Sequence, residues 1–353
     1  MKAGSIAWRA FANRSPSFHP SGFLPDCSSF STKAACRAVA LCEGWKCLLD
    51  SMPQKAELVV EDRKIQVSNL DKVLYPKVGF TKGQVIDYFI RIAPVLLPHL
   101  RDRPLTMKRY PNGVDGEFFY EKNCPSHRPK WVQTAKVWSE GNQRIMNYCL
   151  ANDLPTLVWA ANLADLELHT SLSRKNDLDC PTMMVFDLDP GLPANIVQCC
   201  QVGLWLRDLL SKMKLKSFAK TSGSKGLQVY VPLNTKVTYD QTKDLSRSLA
   251  QFLEHEHRDL VTSNMSKALR KGKVFVDWSQ NDEHKTTICV YSLRAREEPT
   301  VSTPVTWKEV ENCLKKKKAD LLKFRSDKVL GRVEKLGDLF EPVEKLKQKF
   351  PKK

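Results

Sequence analysis

Met183-Met184-Val185-Phe186-Asp187-Leu188-Asp189-Pro190 decides how the rest of the chain is read. Four apolar residues run into two aspartates spaced two apart, and a proline follows. On a strand, alternate residues share a face. Asp187 and Asp189 therefore point the same way, while Leu188 points into a core. Pro190 ends the strand and leaves both carboxylates at its exposed end. Two carboxylates so close repel each other unless a cation sits between them. A second strand, Val274-Phe275-Val276-Asp277, delivers another carboxylate at its own end. Three such aspartates suit two Mg²⁺ or Mn²⁺ ions about 3.5–4 Å apart, the spacing for in-line phosphoryl transfer. A bare Asp-x-Asp is shared by glycosyltransferases and phosphatases, and a solvated pair at a strand end reads the same. The phosphatase version needs a threonine or serine soon after the second aspartate, which Pro190-Gly191 does not supply.

Around this stretch, strands and helices interleave without a repeat. Glu57 to Val67 alternates as a hairpin. Thr81 is placed to cap a helix over Lys82 to Leu100, with Pro94 and Pro98 expected to break its end. Arg103 to Arg109 reads as a strand and Pro111-Asn112-Gly113 as a turn. Asp153 to Leu168 is apolar core, Ala194 to Met213 a helix, and Ser217 to Leu233 two strands around a glycine turn. Tyr239 to His255 and Thr306 to Leu322 read as helices, and Thr286 to Ser292 as a strand. The fold class is α+β (mixed α/β), with one domain over residues 57–345 and a lysine-rich tail over 346–353.

Residues 1–56 stand apart. They carry Cys27, Cys36, Cys42 and Cys47, are rich in Ser and Ala, and hold no acidic residue before Asp26. An organelle transit peptide or a start codon at Met52 would each explain them. The 11 cysteines include no CxxC pair, so free, mostly buried thiols in a reducing compartment are expected. No apolar run reaches the length of a membrane span. The formal net charge of +17 favours a polyanionic partner, with nucleic acid the commonest.

Lys220-Thr221-Ser222-Gly223-Ser224-Lys225-Gly226 precedes a strand. Its glycines let backbone approach phosphate, and Ser222 and Lys225 can donate to it; an ordinary hairpin turn has the same composition. Lys108-Arg109 closes a strand and brings cations towards a cleft. Arg294 and Arg296 share a face, Arg294 being the better candidate for a triphosphate. Lys267, Arg270, Lys271 and Lys273 lie just ahead of Asp277, where a basic loop suits a template strand. Phe118-Phe119-Tyr120 offers a base-stacking platform, although core packing is the default for such a run.

In order along residues 58 to 345, these segments resemble the polymerase domain of bacterial ligase D, a member of the archaeo-eukaryotic primase superfamily. The resemblance is carried by Ser68 to Pro76, Arg103 to Arg109, Asp165-Leu166-Glu167-Leu168-His169, Phe186 to Pro190, Thr221 to Gly226, and Val276-Asp277-Trp278-Ser279-Gln280-Asn281. It implies a two-lobed primase-polymerase fold with a central cleft over the aspartates. It implies a template-dependent polymerase that favours ribonucleotides and Mn²⁺ over Mg²⁺, and fills gaps or extends ends in non-homologous end joining with Ku and a DNA ligase. By position, Asp187, Asp189 and Asp277 match the metal ligands. Lys108, His169, Ser222, Lys225, Gln280 and Arg294 match positions that hold the incoming nucleotide, and Gln228 stands where the family has histidine. Asn69, Lys72 and Lys82 match a pocket for a downstream 5′-phosphate, Phe119 and Tyr120 the template-supporting aromatics, and Arg270 a basic template contact. Glutamine at 228 hydrogen-bonds but does not become cationic near neutrality, so weakened triphosphate binding is expected. A bacterial host implies a cytoplasmic, nucleoid location. An end-bridging module of the same fold, weakly or non-catalytic, is the alternative that Gln228 favours. A transferase acting on sugar nucleotides is a third reading, which the Arg270 loop and the Lys220 to Gly226 turn oppose.

Overall fold

The computed structural model describes residues 7–9 and 55–351. The expectations for the extension over residues 1–56 fall almost wholly outside them. Ala7–Arg9 pairs antiparallel with Lys55–Val60, which in turn forms the expected hairpin with Arg63–Ser68.

Two six-stranded sheets carry the molecule. The first runs, edge to edge, Thr287–Ile288, Asp165–Thr170, Leu105–Arg109, Arg144–Cys149 and Thr134–Ser139, with Phe119–Glu121 also pairing Leu105–Arg109. The second runs Val261–Thr262, Val274–Asp277, Met183–Pro190, Leu227–Pro232, Phe218–Thr221 and Pro304–Val305. Each sheet has its own hydrophobic core. The helix Lys82–Leu100 packs Val85, Ile86, Phe89, Ile92 and Leu96 into the first, together with Leu157 and Val158 of the helix Leu154–Asn162. The helix Ile196–Lys212 packs Cys199, Val202, Leu206 and Leu210 into the second, beside Leu249 and Leu253 of Tyr239–Glu256.

The aspartate strand Met183–Pro190 serves both cores. Met184, Phe186 and Leu188 enter the second, and Met183 and Val185 enter the first. This two-residue alternation sends Asp187 and Asp189 to the first-core side, at the end where the apolar contacts give out. Beyond the reach of Val274–Asp277, the Asn281 side chain continues the pairing, accepting from Val185 N at 2.8 Å and donating to Val185 O at 2.7 Å. That satisfies a buried backbone pair which would otherwise cost about 1–3 kcal/mol per group.

Several expectations need correction. Pro94 and Pro98 do not break their helix, which runs through to Leu100. Both face solvent, where water satisfies the carbonyls that proline leaves unpaired. The helix from Thr306 stops at Lys316, because Lys317 turns left-handed (φ 51°), and resumes only as a 3₁₀ turn over Ala319–Leu322. Of the expected strand Thr286 to Ser292 only Thr287–Ile288 forms, and Tyr291 at φ 63° turns the chain ahead of a separate strand, Leu293–Arg294. Cys124 and Cys149 form a disulfide rather than free thiols, brought side by side by a Cys124 N to Asn147 O hydrogen bond of 2.6 Å. The basic tail is docked: Gln348 is buried and donates to Lys216 O (2.9 Å) and Pro232 O (2.8 Å).

The helices Ser326–Leu336 and Glu341–Lys345 are held by a buried polar clasp. Arg103, 1% exposed, donates to Leu172 O (2.7 Å), Thr182 Oγ1 (2.8 Å) and Glu344 (3.0 Å). Glu344 also takes Arg174 at 2.7 Å. His99 lies 2.8 Å from Asp338, which accepts from Tyr291 at 2.8 Å. Burial opposes charge on all three titratable partners, yet the ion pairs outweigh it: His99 is raised, while Asp338 and Glu344 are held below the usual carboxylate range. The carboxylates contribute fully above about pH 4.5 and fade as pH falls through their lowered values. His99 contributes fully below about pH 6.5 and fades as pH rises through its raised value. Between those limits the clasp is strongest. There, Arg103→Met should lower the unfolding free energy by about 3–5 kcal/mol in urea titration, as expected for a broken buried pair. A change under about 1 kcal/mol would show that the clasp behaves like a surface contact.

Candidate active site

Strand register builds the floor of the site. Asp187 pairs directly with Asp277 on one side and with Gln228 on the other, and Gln228 pairs with Lys220. Directly opposed residues share a face. Lys220, Gln228, Asp187 and Asp277 therefore form one polar row across four strands. The row beside it, Val185, Tyr230 and Phe218, is apolar and belongs to the first core. Asp189 lies one step further out on the Asp187 face. All three aspartates are half-buried, and among the described residues none is ion-paired. Burial, then the charge of Asp189, pushes the Asp187 carboxyl up to about 7, against a hydrogen bond from Gln228. Burial and Asp277 raise Asp189 too, against Lys225.

These are the features of a site built for a cation. Asp187 Oδ1 is buried with no hydrogen-bond partner. Hard carboxylate oxygens suit Mg²⁺ or Mn²⁺. The third carboxylate is not gathered in: Asp277 accepts from Ser279 N (3.0 Å), Ser279 Oγ (2.5 Å) and Gln280 Nε2 (2.7 Å). Among the described residues no three His, Cys, Asp or Glu side chains already stand at ligating distance. Like charges come that close only when a cation offsets their repulsion.

A cation cluster gathers around Glu167 of the first sheet, with Arg294 reaching it from the separate two-stranded pair Leu293–Arg294 and Thr300–Val301. Its carboxylate lies 3.7 Å from Lys108 Nζ, 3.1 Å from His169 Nε2 and 3.1 Å from Arg294 Nε, and it accepts from Ala295 N at 3.0 Å. Burial alone would raise it, but the His169 hydrogen bond and the charge of Arg294 hold it far below the carboxylate range. Burial lowers both His169 and Lys108. Arg294 also donates to Ser222 O at 2.6 Å, so one side chain joins the cluster to the glycine turn. Within that turn, Ser222 Oγ accepts from Gly226 N (3.1 Å) and Ser224 N (3.3 Å), which fixes the turn internally, and Lys225 is exposed. Gly226 runs against the aspartate strand; a Cβ there would lie 2.4 Å from Leu188 O.

Three further groups complete the candidate residues. Asn69, at φ 53°, turns the chain so that its carbonyl accepts from Lys72 N (3.1 Å), and Lys72 O accepts from Lys82 N (2.9 Å). Lys82 is buried and donates to Ser68 O (2.7 Å); burial, then Lys72 and Arg109, bring it down to about 8. Crowded cations at a partly desolvated spot favour an anion beside them. The aromatic run is not core: Phe119 is 54% and Tyr120 60% exposed, and Lys108 Nζ sits 4.2 Å above the Phe118 ring and 5.2 Å above Tyr120. Arg270 stacks 3.8 Å over the Phe275 ring and donates to Met265 O (2.8 Å). Its backbone packs on Gly191, where a Cβ would lie 1.9 Å from Arg270 O, so the basic loop is keyed to the end of the aspartate strand.

Known proteins similar to this chain identify its family. The family model "LigD, primase-polymerase domain" matches residues 81–340. The chain belongs to this family. It is 42% identical over 283 residues to the multifunctional non-homologous end joining protein LigD of Mycolicibacterium smegmatis, covering 80% of this chain and 36% of that protein. It is 33% identical over 279 residues to the bifunctional LigD of Bacillus subtilis, covering 78% and 43%. The chain thus spans well under half the length of these curated relatives. The polymerase domain of Mycobacterium tuberculosis ligase D, solved in complex with DNA, superposes with a TM-score of 0.74 at 40% identity, covering 79% of this chain and 98% of that one.

Sequence reasoning missed Glu167 and Lys220 as site residues, and Asn112, which accepts from Lys72 Nζ at 2.9 Å. Glu167 alternates with His169 on one strand, and that spacing was the available signal. The Gly226 contact yields a test. Gly226→Ala should push the turn off the aspartate strand, and a displacement of about 1 Å can cost about 10²-fold in turnover efficiency. Unaltered kcat/KM in nucleotide addition would exclude the turn from the site.

Proposed function

We propose that the chain is a template-dependent nucleotidyltransferase that extends or gap-fills DNA ends from nucleoside triphosphates in non-homologous end joining. The observation that carries this reading is the pairing of an anionic and a cationic wall: Asp187, Asp189 and Asp277 at the ends of neighbouring strands, faced by Lys108, His169 and Arg294 around Glu167. A sugar-nucleotide transferase would need the first wall but has no use for an exposed aromatic platform and a 5′-phosphate pocket.

Asp187, Asp189 and Asp277 would hold two divalent ions, Mn²⁺ or Mg²⁺, which supply acidity to an attacking 3′-hydroxyl and neutralise charge on the triphosphate. Lys108, His169 and Arg294 bind the triphosphate oxygens, already positioned by Glu167. The Ser222 to Gly226 turn carries Lys225 to solvent, where its charge meets phosphate. Gln280 positions Asp277. Phe119 and Tyr120 stack under template bases, each worth about 1–3 kcal/mol. Arg270 meets template phosphate. Asn69, Lys72 and Lys82 take a downstream 5′-phosphate, whose two charges relieve the crowding of Lys82 with Lys72 and Arg109. Ribonucleotides are the preferred substrates, Ku and a DNA ligase are the partners at the break, and a bacterial nucleoid is the setting.

Primer extension on a short gapped duplex tests the reading. Metal-dependent addition, stronger with ribonucleotides and with a downstream 5′-phosphate, is expected. Asp187→Ala should abolish addition while leaving DNA binding nearly intact. Folded wild-type protein that binds the gap and adds nothing would turn the assignment to an end-bridging module. Lys72→Ala should weaken binding only to 5′-phosphorylated gaps, by about 1.5–3 kcal/mol for one charged contact. Equal weakening on unphosphorylated DNA would remove the pocket from its role.

A further inference from the structure

Gln228 is 2% exposed and Lys220 is fully buried. Lys220 Nζ donates to Gln228 Oε1 (2.5 Å), Ser302 Oγ (2.6 Å) and Ile288 O (3.0 Å). An ammonium has three N–H donors, so this lysine is fully used and its direction is fixed. An amide has one oxygen and one NH₂ group. With its oxygen facing Lys220, the Gln228 NH₂ is left for the opposite strand, where Asp187 is its direct register partner. A flipped amide would set NH₂ against the ammonium and oxygen against the carboxylate, losing the lysine bond and repelling Asp187.

We propose that Lys220 and Gln228 are positioning residues for the Asp187 carboxylate, and that Gln228 serves the metal site from behind rather than touching the triphosphate. The lysine orients the amide, the amide holds one side of Asp187, and the unpartnered Oδ1 is left to ligate. Histidine, which the family has at this position, can do the same: one ring nitrogen accepts from the lysine and the other donates to the aspartate. Glutamine is then a substitute for histidine that keeps both bonds, and the loss of a titratable group does not disable the site. The proposal rests on the two-metal reading above.

Electrostatics alone makes the opposite prediction. Lys220 is a cation near the aspartates, and removing it should tighten divalent binding. Positioning predicts weaker binding. The test is Mn²⁺ titration of the full chain without nucleotide, followed by electron paramagnetic resonance of the free ion. Lys220→Met and Gln228→Met should each weaken Mn²⁺ binding about 10-fold or more, the usual size of an effect transmitted through a ligand's neighbour. Gln228→His should keep near wild-type affinity. At saturating Mn²⁺, KM for the nucleotide should change little in all three. Tighter or unaltered Mn²⁺ binding in both Met variants would overturn the proposal. So would a Gln228→Met defect confined to nucleotide KM, which would return residue 228 to the triphosphate. If Lys220→Met does not fold, the two Gln228 variants decide the matter. Wild-type protein that binds no Mn²⁺ would defeat the two-metal reading itself, and this inference with it.

Discussion

The two-residue period of Met183–Pro190 is the constraint on which the molecule depends. Because successive side chains leave opposite faces, one strand contributes Phe186 and Leu188 to one core and Val185 to the other. The same period carries Asp187 and Asp189 out on the Val185 side, where the first core ends. A one-residue slip would bury both carboxylates in the second core and expose Phe186 and Leu188. That alternative is excluded by several kcal/mol of lost burial and by unpaired charge. Register is therefore set by packing, and the site inherits its geometry from it.

Each wall of the candidate site is made by the same device. On the first sheet, Glu167 and His169 share a face of Asp165–Thr170, and Lys108 pairs directly with Glu167 across strands. On the second, Lys220, Gln228, Asp187 and Asp277 stand in one row. Residues far apart in sequence become neighbours because ladder pairing is rigid at the ångström scale. Loops supply the rest, and each is tied to a strand: Gly226 against Leu188, Gly191 against the Arg270 loop, and Arg294 to Ser222. Such ties limit the freedom that a catalytic constellation cannot tolerate.

Much of this was legible in the sequence where the signal is local. The alternation at Asp187 and Asp189, the Thr81 cap and the Ile196–Lys212 helix need only a few neighbouring residues to be read. What escaped needed long-range geometry. Lys220 looks like one more cation in a glycine turn until pairing places it beside Gln228. Glu167 looks like a flank of His169 until Arg294 arrives from beyond residue 290. Pro94 and Pro98 look like helix breakers because their solvent-facing placement depends on which side packs. The Cys124–Cys149 bond joins strand and loop across a separation of 25 residues, with no spacing motif to announce it.

The polar row also explains why the fold needs two cores. Lys220 is fully buried and brought down to about 7 by burial, and Asp187 is brought up to about 7 by burial and by Asp189. Each is destabilised in its charged form, and a partner two strands away compensates only in part. A protein keeps such local conflict only where function requires it and where the surroundings over-determine the conformation. Here the surroundings are Val185, Tyr230 and Phe218 on one flank, the second core beneath, and Asn281 sealing the open end of the strand. The clasp of Arg103, Glu344, His99 and Asp338 ties the terminal helices across both sheets. Rigid support on every side is what allows like charges to be held together at the one place where a cation can join them.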